Sequence, residues 1–249
     1  MNEYLKNLSK IEFVVTYACT GSCKHCQEGE HSACGDAIDP TVAAVAVKKV
    51  ATQYKIETVM AFGGEPLLCP DAVYAIMNAA TDAGVAKRQI ITNGFFTTNP
   101  TKMREVTSRL AESGVNDLLL SVDAFHQETI PLDTVKRFAF EAKKCGLPVR
   151  LQPAWLVSSE HDNPYNAKTR EILSSFADLD IPVGEGNVIF PAGNAIKYLA
   201  EYFTDNMTEN PYEESPYDVR CLSFEPNGNV LNSNVYRQDV IEIIDQYKP

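Results

Sequence analysis

No run of apolar residues in this 249-residue chain approaches the ~18 needed to cross a bilayer, so no membrane span is expected. Residues 1–6 carry no apolar segment of the kind that opens a secretory signal. Without an export signal, an odd number of cysteines, seven, implies reduced thiols in the cytoplasm and excludes a disulfide framework. Positive charge is scarce and unclustered: 22 Lys and Arg stand against 33 Asp and Glu, a net charge of −11 with a pI near 4.9. A duplex-binding protein must replace phosphate counterions with clustered basic residues, so nucleic acid is not an expected partner. What remains is an ordinary globular composition, 45% hydrophobic, enough for one sizeable core.

Helix signals recur along that core. Asp39-Pro40 and Asn99-Pro100 each place a capping side chain before a proline suited to the first helical turn. Val73, Ile76, Met77 and Ala80 share one helical face, as do Met103, Val106 and Leu110. Gly84, Gly114 and Gly146 stand where such helices would end. Between them lie apolar runs of strand length at 11–16, 58–62, 88–92, 117–122 and 148–155. The second, third and fourth begin 30 and then 29 residues apart, the size of one strand-plus-helix unit. A sixth unit is expected from a strand at 187–190 and a helix carrying Ile196, Leu199 and Phe203. The fold class is therefore α/β with parallel strands, either a partial (β/α)6 TIM-like barrel or a doubly wound sheet. Both place their sites at the C-terminal ends of strands. The pattern changes after residue 204. A polar stretch at 204–218 leads to a strand and turn at 221–230, with a hairpin signal in Pro226-Asn227-Gly228-Asn229, and to a short helix at 239–247. The expected division is a barrel over 1–204 and a small appendage over 205–249.

Directly after the first strand comes Cys19-Thr20-Gly21-Ser22-Cys23-Lys24-His25-Cys26. Three soft thiolates within eight residues suit zinc, copper(I) or an iron–sulfur cluster. His25 or Cys34 could complete a four-ligand zinc set, whereas a cubane held by three cysteines keeps one iron open for chemistry. Cys69 and Cys145 lack ligand spacing and read as small core residues.

The spacing C-x3-C-x2-C at Cys19, Cys23 and Cys26 resembles the cluster loop of the radical S-adenosylmethionine (SAM) enzymes. Three further motifs match that family in order. Gly63-Gly64-Glu65-Pro66 is similar to its GGEP segment, Thr92-Asn93-Gly94 to its TNG segment, and Ser121-Val122-Asp123 to its SxD element. Each ends an expected strand, and the resemblance covers roughly 11–200. It implies a [4Fe–4S] cluster on Cys19, Cys23 and Cys26, with SAM held by Gly63, Gly64, Glu65, Pro66, Thr92, Asn93, Ser121 and Asp123. The two glycines would admit the methionyl moiety to the backbone, and Glu65 would accept from the SAM ammonium. Ile189, at the end of the sixth strand, would pack on adenine. Asp123 and His126 are the candidate catalytic residues, with Gln127 beside them at the barrel mouth. His25 stands where relatives often carry an aromatic residue.

Cys221 to Val230 resembles the start of the SPASM extension, which binds auxiliary clusters. The second cysteine of that pattern is replaced by Leu231-Asn232-Ser233-Asn234, implying a cluster-free remnant. The resemblance implies reductive cleavage of SAM to a 5′-deoxyadenosyl radical, a reductant such as flavodoxin or ferredoxin, and a peptide or small-molecule substrate. Only ten residues precede the first strand, so a leader-binding domain is not expected in this chain. Three alternatives stand beside this reading. A glycyl-radical activase would carry Asp-x-Lys at the fourth strand in place of Ser121-Val122-Asp123. The others are a family member that binds SAM without turnover and a zinc-stabilised, non-catalytic binding protein.

Overall fold

A computed structural model describes residues 2–30, 32, 35–204 and 210–249. Its frame is one six-stranded parallel sheet, built from β1 (Lys10–Val14), β2 (Thr58–Phe62), β3 (Lys87–Thr92), β4 (Asp117–Ser121) and β5 (Val149–Gln152), with a sixth strand from much later in the chain. The crossovers carry α1 (Pro40–Gln53), α2 (Pro70–Asp82), α3 (Pro100–Glu112), the four-residue α4 (Ala124–Gln127) and α5 (Leu132–Lys144). The local signals act as expected. Asp39 caps α1 by accepting from the Thr41 and Val42 amides, and Asn99 caps α3 in the same way. Gly84, Gly114 and Gly146 turn the chain with positive φ after α2, α3 and α5. The apolar faces of α2 and α3 are buried with Ile11, Phe13, Val59, Ile90 and Leu118 in the main core.

Two expected elements take a different form. The run at 148–155 is cut at Pro153, which has no N–H to donate; β6 (Ala154–Trp155) leaves the main sheet, and the Ala154 amide donates to Asp123 instead. The sixth expected strand shrinks to β7 (Asn187–Val188), paired parallel to β6 in a separate two-stranded sheet. Its two residues are exposed, while Ile189, whose amide still donates to the Trp155 carbonyl, and Phe190 are buried beyond the end of the strand. After α6 (Pro164–Ser174), the expected sixth helix appears as α7 (Asn194–Tyr198) followed by a 3-10 turn at Ala200–Tyr202. Leu199 is buried there, but Ile196 faces solvent.

The main sheet takes its sixth strand at the opposite edge. β8 (Cys221–Phe224), from the C-terminal segment, pairs parallel with β1, giving the order β5-β4-β3-β2-β1-β8. Phe224 stacks on Phe13 with ring centroids 4.8 Å apart. The Pro226-Asn227-Gly228-Asn229 segment forms a turn, and the antiparallel pair lies just beyond it, between β9 (Asn229–Val230) and β10 (Ser233–Asn234). Capped by Asp239, α8 (Val240–Gln246) packs on α1. Among the described residues, no helix is long and apolar enough to cross a membrane.

Candidate active site

The segment between β1 and α1 carries Cys19, Cys23 and Cys26 and is gripped from four directions. From the end of β2, the Gly64 amide donates to the Thr16 carbonyl and the Glu65 amide to the Ala18 carbonyl, both at 2.8 Å. A Cβ on Gly64 would lie 2.2 Å from the Ala18 oxygen, and one on Gly63 2.5 Å from the Thr16 oxygen. These glycines allow a close approach to the cysteine segment's own backbone. From β3, Asn93 donates to the Cys19 Sγ at 3.7 Å and to the Thr20 hydroxyl at 3.2 Å. From the loop after α4, the Thr129 hydroxyl accepts from the Ser22 amide and Glu128 pairs with Lys24.

The fourth grip was not read from sequence. The Asn194 amide donates to the Cys26 carbonyl at 2.8 Å, and its side chain donates to the Cys23 and Gly29 carbonyls, both at 3.1 Å. Gly193, at φ +50°, leaves no room for a Cβ against the Cys26 and Gln27 carbonyls. Its only local signal is a Gly-Asn pair following the sixth strand. Asn194→Ala should leave two carbonyls without their donor, at a cost of about 1–3 kcal/mol. We expect normal expression and a several-fold faster loss of bound iron to chelator; iron release at the wild-type rate would refute the grip's importance.

Burial raises the Cys19 thiol, pushes Cys26 up to about 11 and raises Cys23 further, with each thiol also facing charged neighbours among the other two cysteines, Glu65 and Asp123. Three thiolates so placed are favourable only with a positive metal centre between them, and soft sulfur donors suit iron–sulfur chemistry. The donor set therefore fits the expected cluster. Cys34 lies outside the described residues. A second donor group overlaps the first: Cys23 and the rings of His25 and His126 place ligand atoms within 4.8 Å of one another.

Glu65 is fully buried. One carboxylate oxygen accepts from the Leu67 amide at 2.9 Å and the Thr92 hydroxyl at 2.7 Å; the other accepts from the Asn93 amide at 2.8 Å. Desolvation outweighs these bonds and pushes its pKa up to about 7. The second oxygen keeps a lone pair for another donor. Pro66, also buried, opens a single 3-10 turn that fixes the carboxylate's direction.

Asp123 is equally buried, and all four of its acceptor positions are occupied. One oxygen caps α4 through the Phe125 and His126 amides, and the other accepts from the Ala154 amide at 3.0 Å and faces His126 Nδ1 at 2.8 Å. Burial opposes its charge, but His126 and these donors outweigh burial and hold the pKa at about 2. With an ionised acceptor opposite, the imidazole proton belongs on Nδ1, leaving Nε2 as the ring's acceptor. The His126 ring lies 4.8 Å from that of His25, which burial and His126 lower to about 4. Gln127 accepts from the Asp123 amide and braces the same turn. Ser121 ends β4 beside Gln152 of β5. Ile189 is buried with Phe125 and Leu199 in the second apolar cluster. The structure thus brings Cys19, Cys23, Cys26, Glu65, Asn93, Asp123 and His126 to one end of the sheet, while Ile189 sits in packing beside them.

The Radical SAM superfamily model matches residues 13–152 of the chain, more than half its length. The chain belongs to the Radical SAM superfamily, a superfamily of enzymes. Relatives include a probable GTP 3′,8-cyclase of Sulfolobus acidocaldarius, 28% identical over 157 residues, which cover 59% of this chain and 47% of that protein. A second, from Metallosphaera sedula, is 27% identical over 160 residues, covering 61% and 48%. The chain thus spans about half the length of these cyclases. Among solved structures, Streptococcus suis SuiB bound to S-adenosylmethionine has a TM-score of 0.60 at 15% identity, covering 95% of this chain and 65% of SuiB. Native anSMEcpe with bound AdoMet has a TM-score of 0.56 at 16% identity, covering 93% and 76%. These likenesses establish the fold, a partial barrel with a parallel six-stranded sheet.

Proposed function

We propose that this chain holds a [4Fe–4S] cluster on Cys19, Cys23 and Cys26 and binds SAM across the strand ends at Gly63–Pro66, Thr92, Asn93 and Ser121. Bound together, they would supply one-electron cleavage of the SAM sulfonium bond, giving methionine and a 5′-deoxyadenosyl radical that takes a hydrogen atom from substrate. The observation that carries this reading is the grip on the cysteine segment. Four separate segments hold it, and two of them are the strand-end motifs whose residue types the cofactor chemistry demands. Glu65 keeps an acceptor lone pair for an ammonium group, which would lower its pKa as it binds. Asp123 serves as a positioning residue: it fixes the orientation and tautomer of His126 at the mouth, and the proton it holds stays on Nδ1. The electron comes from an outside donor such as flavodoxin or ferredoxin in the cytoplasm, and the substrate is a peptide or a small molecule.

The C-terminal segment is read as a cluster-free, SPASM-like remnant. Cys221 lies opposite Lys10 in the sheet, its thiol raised by burial and by Glu12. No second cysteine follows it.

Anaerobic reconstitution with iron and sulfide, followed by SAM and dithionite, tests the proposal. About four irons per chain and slow formation of 5′-deoxyadenosine are expected, both lost in Cys23→Ala. The Cys23, His25 and His126 donor group favours one competing reading, a zinc site. Zinc in place of iron, with no deoxyadenosine, would establish it and overturn ours.

A further inference from the structure

We infer that the part of the substrate entering the barrel is an uncharged, apolar side chain of a peptide, and not an anionic nucleotide. This deepens the function proposed above and rests on it.

Alternation along parallel strands sends every second side chain to each face of the sheet. Ile11, Phe13, Val59, Ala61, Ile90 and Leu118 go to the helix-covered core. The concave face carries the residues between them, and the register sorts these into rows. Val14 pairs with Phe62 and Ile91 with Leu119, while Ala61 pairs with Ile90 just before Phe62 and Ile91. The four residues therefore form one apolar row across β1 to β4, immediately below the strand ends that carry the site, and the row ends on β5 at Arg150, the register partner of Leu119. None of the four belongs to either packed core, and Phe62 and Ile91 remain partly exposed.

The charges on this face are already matched. One row deeper, Glu12 pairs with Lys10 at 2.7 Å. Asp117 accepts two hydrogen bonds from Arg150, at 2.9 and 3.0 Å, and one from Gln89, with Lys87 at 3.4 Å. Nearer the surface, Lys24 is paired with Glu128. Among the described residues, each of these cations has a carboxylate partner. A nucleoside triphosphate brings several negative charges, and its recognition depends on guanidinium or ammonium groups free to face the phosphates. Turning the Arg150 fork onto a phosphate would take two donors from Asp117 and leave that carboxylate with Gln89 and Lys87 alone.

The rim is uncharged on the β4–β5 side. Ser121 and Gln152 stand side by side at the ends of β4 and β5, and the Gln152 Oε1 is buried without a hydrogen-bond partner. Gly184 makes room for that oxygen, since a Cβ there would approach it to 2.7 Å. An amide N–H satisfies such an oxygen without bringing charge, and a peptide presents one beside each side chain. An aliphatic or aromatic side chain laid on the row would lose its apolar surface from water. An apolar row beneath an amide-matching rim thus selects a peptide's side chain together with its backbone.

The test uses cluster-loaded enzyme with SAM, 13C-labelled at Ile, Leu and Val methyls, and three probes. N-acetyl-leucinamide should shift the Val14, Ile91 and Leu119 methyl signals. 3-Methylbutan-1-ol, which has the same side group but no amides, should bind at least 5-fold more weakly, and GTP should leave those signals in place. Ile91→Thr, which removes apolar surface from the row and adds a hydroxyl, should weaken the amide by 3–10-fold. A GTP-induced shift, no shift with the amide, or equal binding of the alcohol would each overturn the inference. Iron content and deoxyadenosine formation are measured on the same preparation. Their absence would sink the proposed function itself, whereas their presence with a failed probe pattern would sink only the substrate inference.

Discussion

Gly64→Ala is expected to abolish iron–sulfur loading and to destabilise the apoprotein by about 3 kcal/mol or more, the upper range for overpacking that cannot relax. The added Cβ would lie 2.2 Å from the Ala18 carbonyl oxygen, 2.7 Å from its carbon and 2.8 Å from the Tyr17 oxygen. All three are main-chain atoms of the segment that delivers Cys19, so no side-chain rotation removes the overlap. The two strand ends must separate, and with them go the bonds that hold the segment, Gly64 N–H to Thr16 and Glu65 N–H to Ala18. Gly84→Ala makes a sharp control. Gly84 has φ +70° and nothing within 4 Å of where an added methyl would stand, so its cost is the left-handed backbone alone, about 1–2 kcal/mol. Gly64 has no positive φ, so its cost is contact alone. Urea unfolding of both apoproteins and iron per chain after reconstitution separate the two effects. Equal losses, or full iron in Gly64→Ala, would show that the strand-end grip does not position the cysteines.

The parts of this fold legible in sequence are those whose signals are local. Asp39, Asn99 and the glycines after α2, α3 and α5 act within one helical turn, and the repeat of about 30 residues follows from one strand and one returning helix. The motifs stood out in sequence because the proposed chemistry would fix the residue type: thiols for iron, glycine for close backbone approach, a carboxylate for an ammonium. Even so, the glycines proved to approach the chain's own Thr16 and Ala18.

What stayed hidden depends on partners far along the chain. β8 pairs with β1 across more than 200 residues, and nothing within Cys221–Phe224 marks it as a barrel strand. The run Val188-Ile189-Phe190 had the composition of a strand, but pairing with β6 ends at the bond from the Ile189 amide to the Trp155 carbonyl, and Ile189 and Phe190 are buried by packing. Asn194 has the same character. It is a short polar side chain whose meaning lies in the Cys23 and Gly29 carbonyls, 171 and 165 residues earlier.

Asp123 offers the second large effect, and its variants separate placement from charge. Asp123→Ala removes the acceptor of three backbone amides, those of Phe125, His126 and Ala154, together with the partner of His126 Nδ1. Breaking a buried, fully paired carboxylate typically costs about 3–5 kcal/mol. We expect loss of that order, with deoxyadenosine formation falling at least tenfold. Asp123→Asn keeps the cap on α4, because its carbonyl still accepts from Phe125 and His126, but turns an N–H2 group toward the Ala154 amide. Its cost should be smaller, about 1–3 kcal/mol. The pH dependence gives the charge a separate signature. The folded-state pKa of about 2 lies below the ordinary value of 3.8, so the carboxylate's contribution is fully present above pH ~4 and is lost as pH falls toward about 2. The stability gap between wild type and Asp123→Asn should therefore be flat from pH 7 to about 4.5 and narrow by about 2 kcal/mol at lower pH. Urea unfolding across that range reads it directly. A gap that does not change with pH would mean that Asp123 acts only through geometry and that its charge does not hold His126 in place.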